Sequence, residues 1–138
     1  SGVKREIRRG LNWLHRILHT PTVLCHLWQN PDEFYTELPF PAIAKSDIGF
    51  ERNREGNSWN YYSQALTLLR CTRWMDYYGF SKDFDTVLEK WVRQWAFSET
   101  ILFGQELDPF TGEPSVCSQW YSSCMLVYIY AVKRLEIL

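Results

Sequence analysis

Apolar residues recur at helical spacing in four stretches of the chain, 3–19, 58–78, 82–97 and 120–135. Within each stretch the large apolar side chains return every three or four residues, which places them on one face of a helix. The last stretch is apolar almost all round, so we expect its helix to be buried on several sides. No stretch shows the strict alternation that is typical of a half-buried strand. The pattern therefore predicts an all-α fold.

Turn and loop residues separate the predicted helices. Gly79 is expected to end the second helix, and Ser81 is expected to cap the third. Because the link between these two helices is very short, they should lie antiparallel as a hairpin. Residues 22–57 form a proline-rich loop region with little sustained periodicity, and residues 103–119 are predicted to be loop. The prediction is a set of helical hairpins with long loops at one end.

The composition adds one unusual feature, a high aromatic content. Seven Trp, eight Tyr and eight Phe make up 17% of the 138 residues. Most of the Trp rings should pack in the core, but large aromatic side chains also stack on the flat apolar faces of sugar rings. The net charge of −1, from 15 basic and 16 acidic residues, argues against a nucleic-acid partner. No apolar run approaches the ~18 residues of a membrane span, so no membrane partner is predicted.

The cysteine and histidine pattern predicts no metal site and no cofactor. The four cysteines form no Cys-x-x-Cys pair, and buried thiols are their expected state. His15 and His19 are four residues apart, a spacing that can bind a metal, but no acidic third ligand accompanies them. They are better interpreted as residues of a polar helix face.

One loop combines turn chemistry with a candidate catalytic carboxylate. The segment DPFTG at 108–112 favours a turn because Pro presets φ and Gly accepts a positive φ. Asp108 is expected to bond the backbone amides of the residues that follow it. Glu106 stands just before this turn, where the backbone sets its position. It is therefore either a positioned catalytic group or a solvated loop carboxylate.

Five segments, taken in order, carry a resemblance to a known family. They are LPFPAIAKSD at 38–47, GNSW at 56–59, YYGF at 77–80, QELDPFTG at 105–112 and QWYS at 119–122. This series resembles the C-terminal portion of inverting six-hairpin glycosidases, which include processing mannosyl-oligosaccharide glucosidases, trehalases and mannosylglycerate-hydrolase-like enzymes. The resemblance covers residues 34–135 and depends on the order and spacing of the motifs rather than on any single one.

The resemblance implies a fold as well as a family. Residues 1–138 would form a single, partial catalytic-domain segment of an (α/α)6 toroid, because a closed toroid needs more helices than the chain predicts. Alone, such a segment would expose the apolar faces that earlier hairpins should cover. We therefore expect the chain to bind the missing N-terminal part of the barrel or to self-associate.

The resemblance also implies a reaction, the cleavage of a glycosidic bond with inversion. In the family the Glu of this turn motif is the general base, and that position is Glu106 here. The general acid of the family is an Asp in an earlier hairpin, and no matching motif occurs in this chain. The chain is expected to be an incomplete glycosidase whose acid comes from the missing upstream part. Its substrate would be an oligosaccharide or a small glycoside.

Five further residues are expected to contact the sugar. Trp59 and Trp120 each open a predicted helix beside a loop, where the family presents sugar-contacting aromatics, and core packing is the alternative for both. Phe40 is expected to line the same pocket. Asn57 and Gln119 are expected to bond sugar hydroxyls, although Asn57 could equally cap a helix.

Departures from the family pattern favour a second hypothesis. Glu55 stands where the family has Arg, Leu107 stands where it has Tyr, and the last signature is altered at residues 120–121. The alternative function is a non-catalytic carbohydrate-binding or scaffold domain that kept the helical shell and lost the chemistry. A purely helical protein-interaction module is a third interpretation, but it leaves the Glu106 loop unexplained.

Overall fold

A computed structural model of the chain describes residues 28–50, 61–97, 103–115 and 120–137. Three helices and two short strands lie in these ranges. They are β1 (Ser63–Gln64), α1 (Ala65–Cys71), α2 (Ser81–Ala96), β2 (Glu106–Leu107) and α3 (Ser122–Arg134). The described part of the chain is mostly helical, as predicted, and it contains a small antiparallel sheet that the all-α prediction lacked. The predicted helix at 3–19 lies outside the described residues.

Helix α2 matches its prediction to within one residue at each end. The side chains that it buries are Phe84, Val87, Leu88, Trp91, Val92 and Trp95. The chain enters α2 from Gly79, whose φ of +81° most other residues avoid. The predicted Ser81 cap is wrong, because Phe80 occupies the N-cap position and makes no side-chain cap bond. The Ser81 hydroxyl instead donates to Asp76 Oδ1 at 2.7 Å.

The second predicted helix is much shorter than its apolar pattern suggests. Helix α1 covers only 7 residues, because the residues just before it are extended in β1 and those after it form successive turns. In β1 the Gln64 amide donates to Phe40 O at 3.4 Å instead of to a carbonyl of a preceding helical turn. After α1 the Thr72 hydroxyl donates to Leu69 O, a local bond that competes with helical bonding. Both ends are shortened by bonds that apolar periodicity does not report.

Helix α3 agrees with its prediction in position but not in burial. Helices α1 and α2 both pack against α3. The residues that α3 buries are Ser123, Cys124, Val127, Ala131 and Val132. Met125, Leu126 and Ile129 are instead 39, 56 and 51% exposed. The expectation of a helix buried on several sides is therefore wrong for the described part of the chain, where α1 and α2 cover one side of α3.

The core is built largely from aromatic rings. Trp28 is fully buried, and its ring centroid lies 6.0 Å from that of Phe40 and 5.5 Å from that of Phe80. The other buried indoles belong to Trp74, Trp91 and Trp95. The prediction that most Trp rings pack in the core is confirmed for the residues described. Within these same ranges no helix combines the length and the hydropathy needed to cross a bilayer.

Candidate functional site

A small antiparallel sheet brings Glu106 opposite Gln64. The register of β1 and β2 makes these two residues direct partners across the strands, where side chains on one face lie about 4.5–5.5 Å apart at Cβ. Isolated bridges extend the pairing on both sides, from β1 to Pro41 and from β2 to Pro114. Backbone pairing with neighbouring segments therefore sets the position of Glu106 in β2.

The Glu106 side chain is buried, with 1% of the residue exposed. Gln64 Nε2 donates to its Oε1 at 2.9 Å, and Ser115 Oγ donates to its Oε2 at 3.3 Å. The backbone supports the same arrangement, since the Ser115 amide donates to Glu106 O at 2.9 Å. Moving a carboxylate out of water is costly unless hydrogen bonds replace its hydration. Glu106 is therefore not the solvated loop residue that the sequence left as an alternative.

Asp108 anchors the turn that follows Glu106, as predicted. Its Oδ1 accepts hydrogen bonds from the amides of Phe110 and Thr111 at 2.9 and 3.0 Å. Its Oδ2 accepts a hydrogen bond from the buried Tyr61 hydroxyl at 3.0 Å, and Asp108 itself is 5% exposed. This carboxylate thus joins its own turn to the segment that leads into β1. The interpretation of Asp108 as a turn-former rather than a second catalyst is supported by these bonds.

Gly112 closes the turn and fixes it against α2. Its φ is +72°, and its amide donates to Asp108 O at 2.8 Å. Gln94 Nε2 in α2 donates to Gly112 O at 2.9 Å. The positive φ favours glycine, and a Cβ at this position would also displace the end of the Gln94 side chain and its bond to Gly112 O. The loop that carries Glu106 is therefore fixed both by its own bonds and by contact with a long helix.

The predicted sugar contacts are only partly visible. Trp59, Asn57 and Gln119 lie outside the described residues. Trp120 is 57% exposed with a φ of +56°, so it is not a core residue. Phe40 is 0% exposed and packs against Trp28, so its surroundings favour a core role over the predicted pocket contact.

Gln64 and Ser115, which both bond Glu106, were not among the residues predicted for the site. Gln64 falls within the predicted second helix. Its bond to Glu106 joins residues 42 positions apart, so no local sequence pattern indicates it. The only available signal was the polar Ser63–Gln64 pair, which interrupts a largely apolar segment. Ser115 follows the DPFTG turn by three residues and is 8% exposed. If the chain had been predicted to reverse direction at this turn, as in a hairpin, Ser115 would have been placed alongside Glu106.

The described residues contain no group of three or more His, Cys, Asp or Glu side chains that could hold a metal ion. Cys71 and Cys124 are buried free thiols, as predicted. Burial raises the pKa of both thiols, that of Cys124 to about 12. Neither thiol is therefore a ready nucleophile near neutral pH.

Comparison with known proteins adds no assignment. No protein-family model matches the chain, and no curated protein matches it. The function of the chain is therefore inferred from the geometry around Glu106 and from the order of the sequence motifs.

Proposed function

We propose that the chain is a segment of an inverting glycoside hydrolase in which Glu106 is the general base. The observation that carries the proposal is a buried carboxylate, bonded by Gln64 and Ser115, at the start of a turn that Asp108 and Gly112 hold in place. Backbone pairing and side-chain bonds both fix this group, as a catalytic group requires. The motif order in the sequence supplies the reaction class.

The proposed reaction needs two carboxyl groups, about 6.5–9.5 Å apart on opposite faces of the sugar ring. Glu106 removes a proton from a water molecule while the water oxygen forms a bond to the anomeric carbon. The bond from that carbon to the leaving oxygen breaks, and the leaving oxygen takes a proton from the general acid. We assign that acid to an Asp in the part of the enzyme upstream of this chain. The product is a hemiacetal of opposite anomeric configuration.

We propose further that α1, α2 and α3 are helices of an (α/α)6 toroid. Leu126 and Ile129 of α3 are 56 and 51% exposed. Neighbouring apolar side chains on one helix face are typical of a surface that another element covers. We propose that the N-terminal part of the barrel, or a second copy of the chain, covers this face.

Trp120 is the sugar-stacking candidate with the best structural support. Its indole is 57% exposed, and its ring centroid lies 6.0 Å from that of Phe103, three residues before Glu106. The Tyr121 amide donates to Phe103 O at 3.1 Å, which holds this aromatic pair beside the segment leading into β2. An exposed indole beside the segment that leads into β2 provides a flat apolar surface of the kind on which a sugar ring stacks.

A second candidate function is a non-catalytic carbohydrate-binding or scaffold domain. The 1% exposure of Glu106 favours it, because a general base must reach a water molecule. Leu107, at a position where the glycosidases have Tyr, favours it also. In this alternative the bonds to Glu106 only stabilise the sheet. Neutralising the carboxyl group would then change stability without changing any sugar turnover.

Glycosyl fluorides test the base without the missing acid, because fluoride leaves as an anion and does not need a general acid. The wild-type chain is incubated with the α- and β-fluorides of glucose and mannose, and fluoride release is followed with an ion electrode. We expect release from one anomer, with a first-formed sugar of the opposite anomer in proton NMR spectra. Glu106→Gln should lower the rate about 10²–10⁴-fold, the usual contribution of a general base.

Glu113→Gln is the matched control, since Glu113 lies in the same loop with an exposed side chain. This variant should release fluoride at the wild-type rate. Equal rates for Glu106→Gln and Glu113→Gln would reject Glu106 as the base. No release by the wild type above the buffer rate, with monosaccharide binding retained in calorimetry, would favour the non-catalytic alternative.

A further inference from the structure

One buried polar atom in the candidate site lacks a hydrogen-bond partner. Among the described residues, three buried side-chain atoms have none: Trp28 Nε1, Trp95 Nε1 and Gln64 Oε1. The two indole nitrogens lie among the aromatic rings of the core. Gln64 Oε1 is different, because its amide is 1% exposed and bonded to the Glu106 carboxylate. A buried acceptor without a donor is costly and needs a physical explanation.

The chemistry of this pair determines which end of the Gln64 amide faces Glu106. As the proposed general base, Glu106 is a carboxylate, which only accepts hydrogen bonds, and the Gln64 amide nitrogen is accordingly the atom that lies 2.9 Å from its Oε1. Turning the amide over would set two acceptor oxygens against each other. The unpaired oxygen of Gln64 is therefore held at the same end of the side chain, next to the carboxylate.

We propose that Gln64 Oε1 and Glu106 together bind the attacking water of the glycosidase reaction. A buried water molecule makes about two to four hydrogen bonds to otherwise unsatisfied polar groups. Its two hydrogens find two acceptors here, a carboxylate oxygen of Glu106 and Gln64 Oε1. Glu106 removes the first hydrogen as a proton, and the second stays on the oxygen that bonds to the anomeric carbon. This inference rests on the proposed glycosidase function and adds a water-binding residue to it.

The position of Gln64 in β1 suits this role. Its Cα is the antiparallel partner of Glu106, so the two side chains leave adjacent strands on the same face of the sheet. The amide offers a donor that holds the carboxylate and an acceptor that orients the water, both at the end of one side chain. An apolar residue of the same length would supply neither group.

Two measurements on the full chain test this assignment. The first is a crystal structure that shows ordered water, in which we expect a water molecule within hydrogen-bond distance of both Gln64 Oε1 and Glu106. The second is the hydrolysis of the glycosyl fluoride that the wild type cleaves, measured for Gln64→Met. Gln105→Met is the control, because it makes the same exchange at a glutamine that is also buried, with 8% exposed, and precedes Glu106.

Gln64→Met should lower kcat about 100-fold, the effect expected when a reactant is misplaced by about 1 Å, while KM changes less than about twofold. Gln105→Met should keep a kcat near that of the wild type. An unchanged kcat in Gln64→Met, or a crystal structure without that water, would overturn the assignment while leaving the role of Glu106 intact. If Glu106→Gln also keeps the full rate, the proposed function itself fails, and any water at Gln64 Oε1 is structural only.

Discussion

Replacing Asp108 with alanine tests how the turn holds Glu106 in position. Asp108 accepts hydrogen bonds from the Phe110 and Thr111 amides at 2.9 and 3.0 Å and from the Tyr61 hydroxyl at 3.0 Å. Alanine removes these acceptors together. Phe110 and Thr111 are exposed, so their amides can turn to water, whereas the Tyr61 hydroxyl bond is buried. Most of the lost free energy should therefore come from the contact with Tyr61.

The size of this loss follows from the kinds of bond involved. Side-chain bonds to backbone amides at a cap contribute about 0.5–2 kcal/mol, and a hydrogen bond to a charged group contributes about 1.5–3 kcal/mol. Asp108→Ala should therefore lower the free energy of unfolding by about 3 kcal/mol. With a urea dependence of about 2 kcal/mol per M, the unfolding midpoint should fall by about 1.5 M. Asp108→Asn keeps an acceptor oxygen for the amides and should lose about 1 kcal/mol.

Urea unfolding followed by tryptophan fluorescence measures these shifts. The buried indoles that report on unfolding of the described core are Trp28, Trp74, Trp91 and Trp95. Glu113→Ala is the matched control, because its exposed side chain should contribute less than about 0.5 kcal/mol. If Asp108→Ala and Glu113→Ala unfold at the same urea concentration, the turn does not depend on the Asp108 acceptors. The explanation of how Glu106 is positioned would then be refuted.

Two further predictions concern the same loop and the packing of α3. Gly112→Ala should destabilise the chain by about 1 kcal/mol more than Gly79→Ala in urea unfolding. The φ is positive at both glycines, but only at Gly112 would a Cβ displace the end of the Gln94 side chain and break its hydrogen bond to Gly112 O. Equal losses would contradict this. Arg134→Met should cost about 1 kcal/mol near neutral pH, since Arg134 pairs with Asp76 at 2.7 Å. The Arg134 hydrogen bond lowers the pKa of Asp76 below its ordinary 3.8, so this contribution is present above that pH and is lost as the pH falls through the lowered value. An effect of Arg134→Met that stays constant into the acid range would contradict this reasoning.

Apolar periodicity predicted α2 and α3 well because both helices are long and bonded within themselves. It failed at the second helix, where β1 pairs its backbone with β2 and with Phe40 O. Those partners are distant in sequence, and a two-residue strand is too short to show alternation. The exposure of Leu126 was also beyond a sequence argument, because a pattern that is apolar all round does not specify which neighbours are present.

The candidate site also contains a part that the sequence predicted and a part that it did not. The turn formed by Asp108 and Gly112 was predictable because its chemistry lies within five consecutive residues. The position of Glu106 before that turn was predictable for the same reason. Its bonds to Gln64 and Ser115 were not, since they depend on how β2 pairs and on how the chain returns after the turn. Local chemistry therefore located the carboxylate, and tertiary pairing supplied its environment.

Azide rescue of Glu106→Ala tests the central claim most directly. Removing the side chain leaves space beside Gln64 and removes the negative charge that would repel an anion. Azide is an anion that attacks the anomeric carbon without losing a proton, so it needs no general base. The carbon–fluorine bond breaks as the carbon–nitrogen bond forms, and fluoride leaves as an anion. We predict that sodium azide restores consumption of the glycosyl fluoride by Glu106→Ala and yields a glycosyl azide of inverted configuration. Consumption that azide does not change, in a variant that still binds the sugar, would contradict the role of Glu106 as the base.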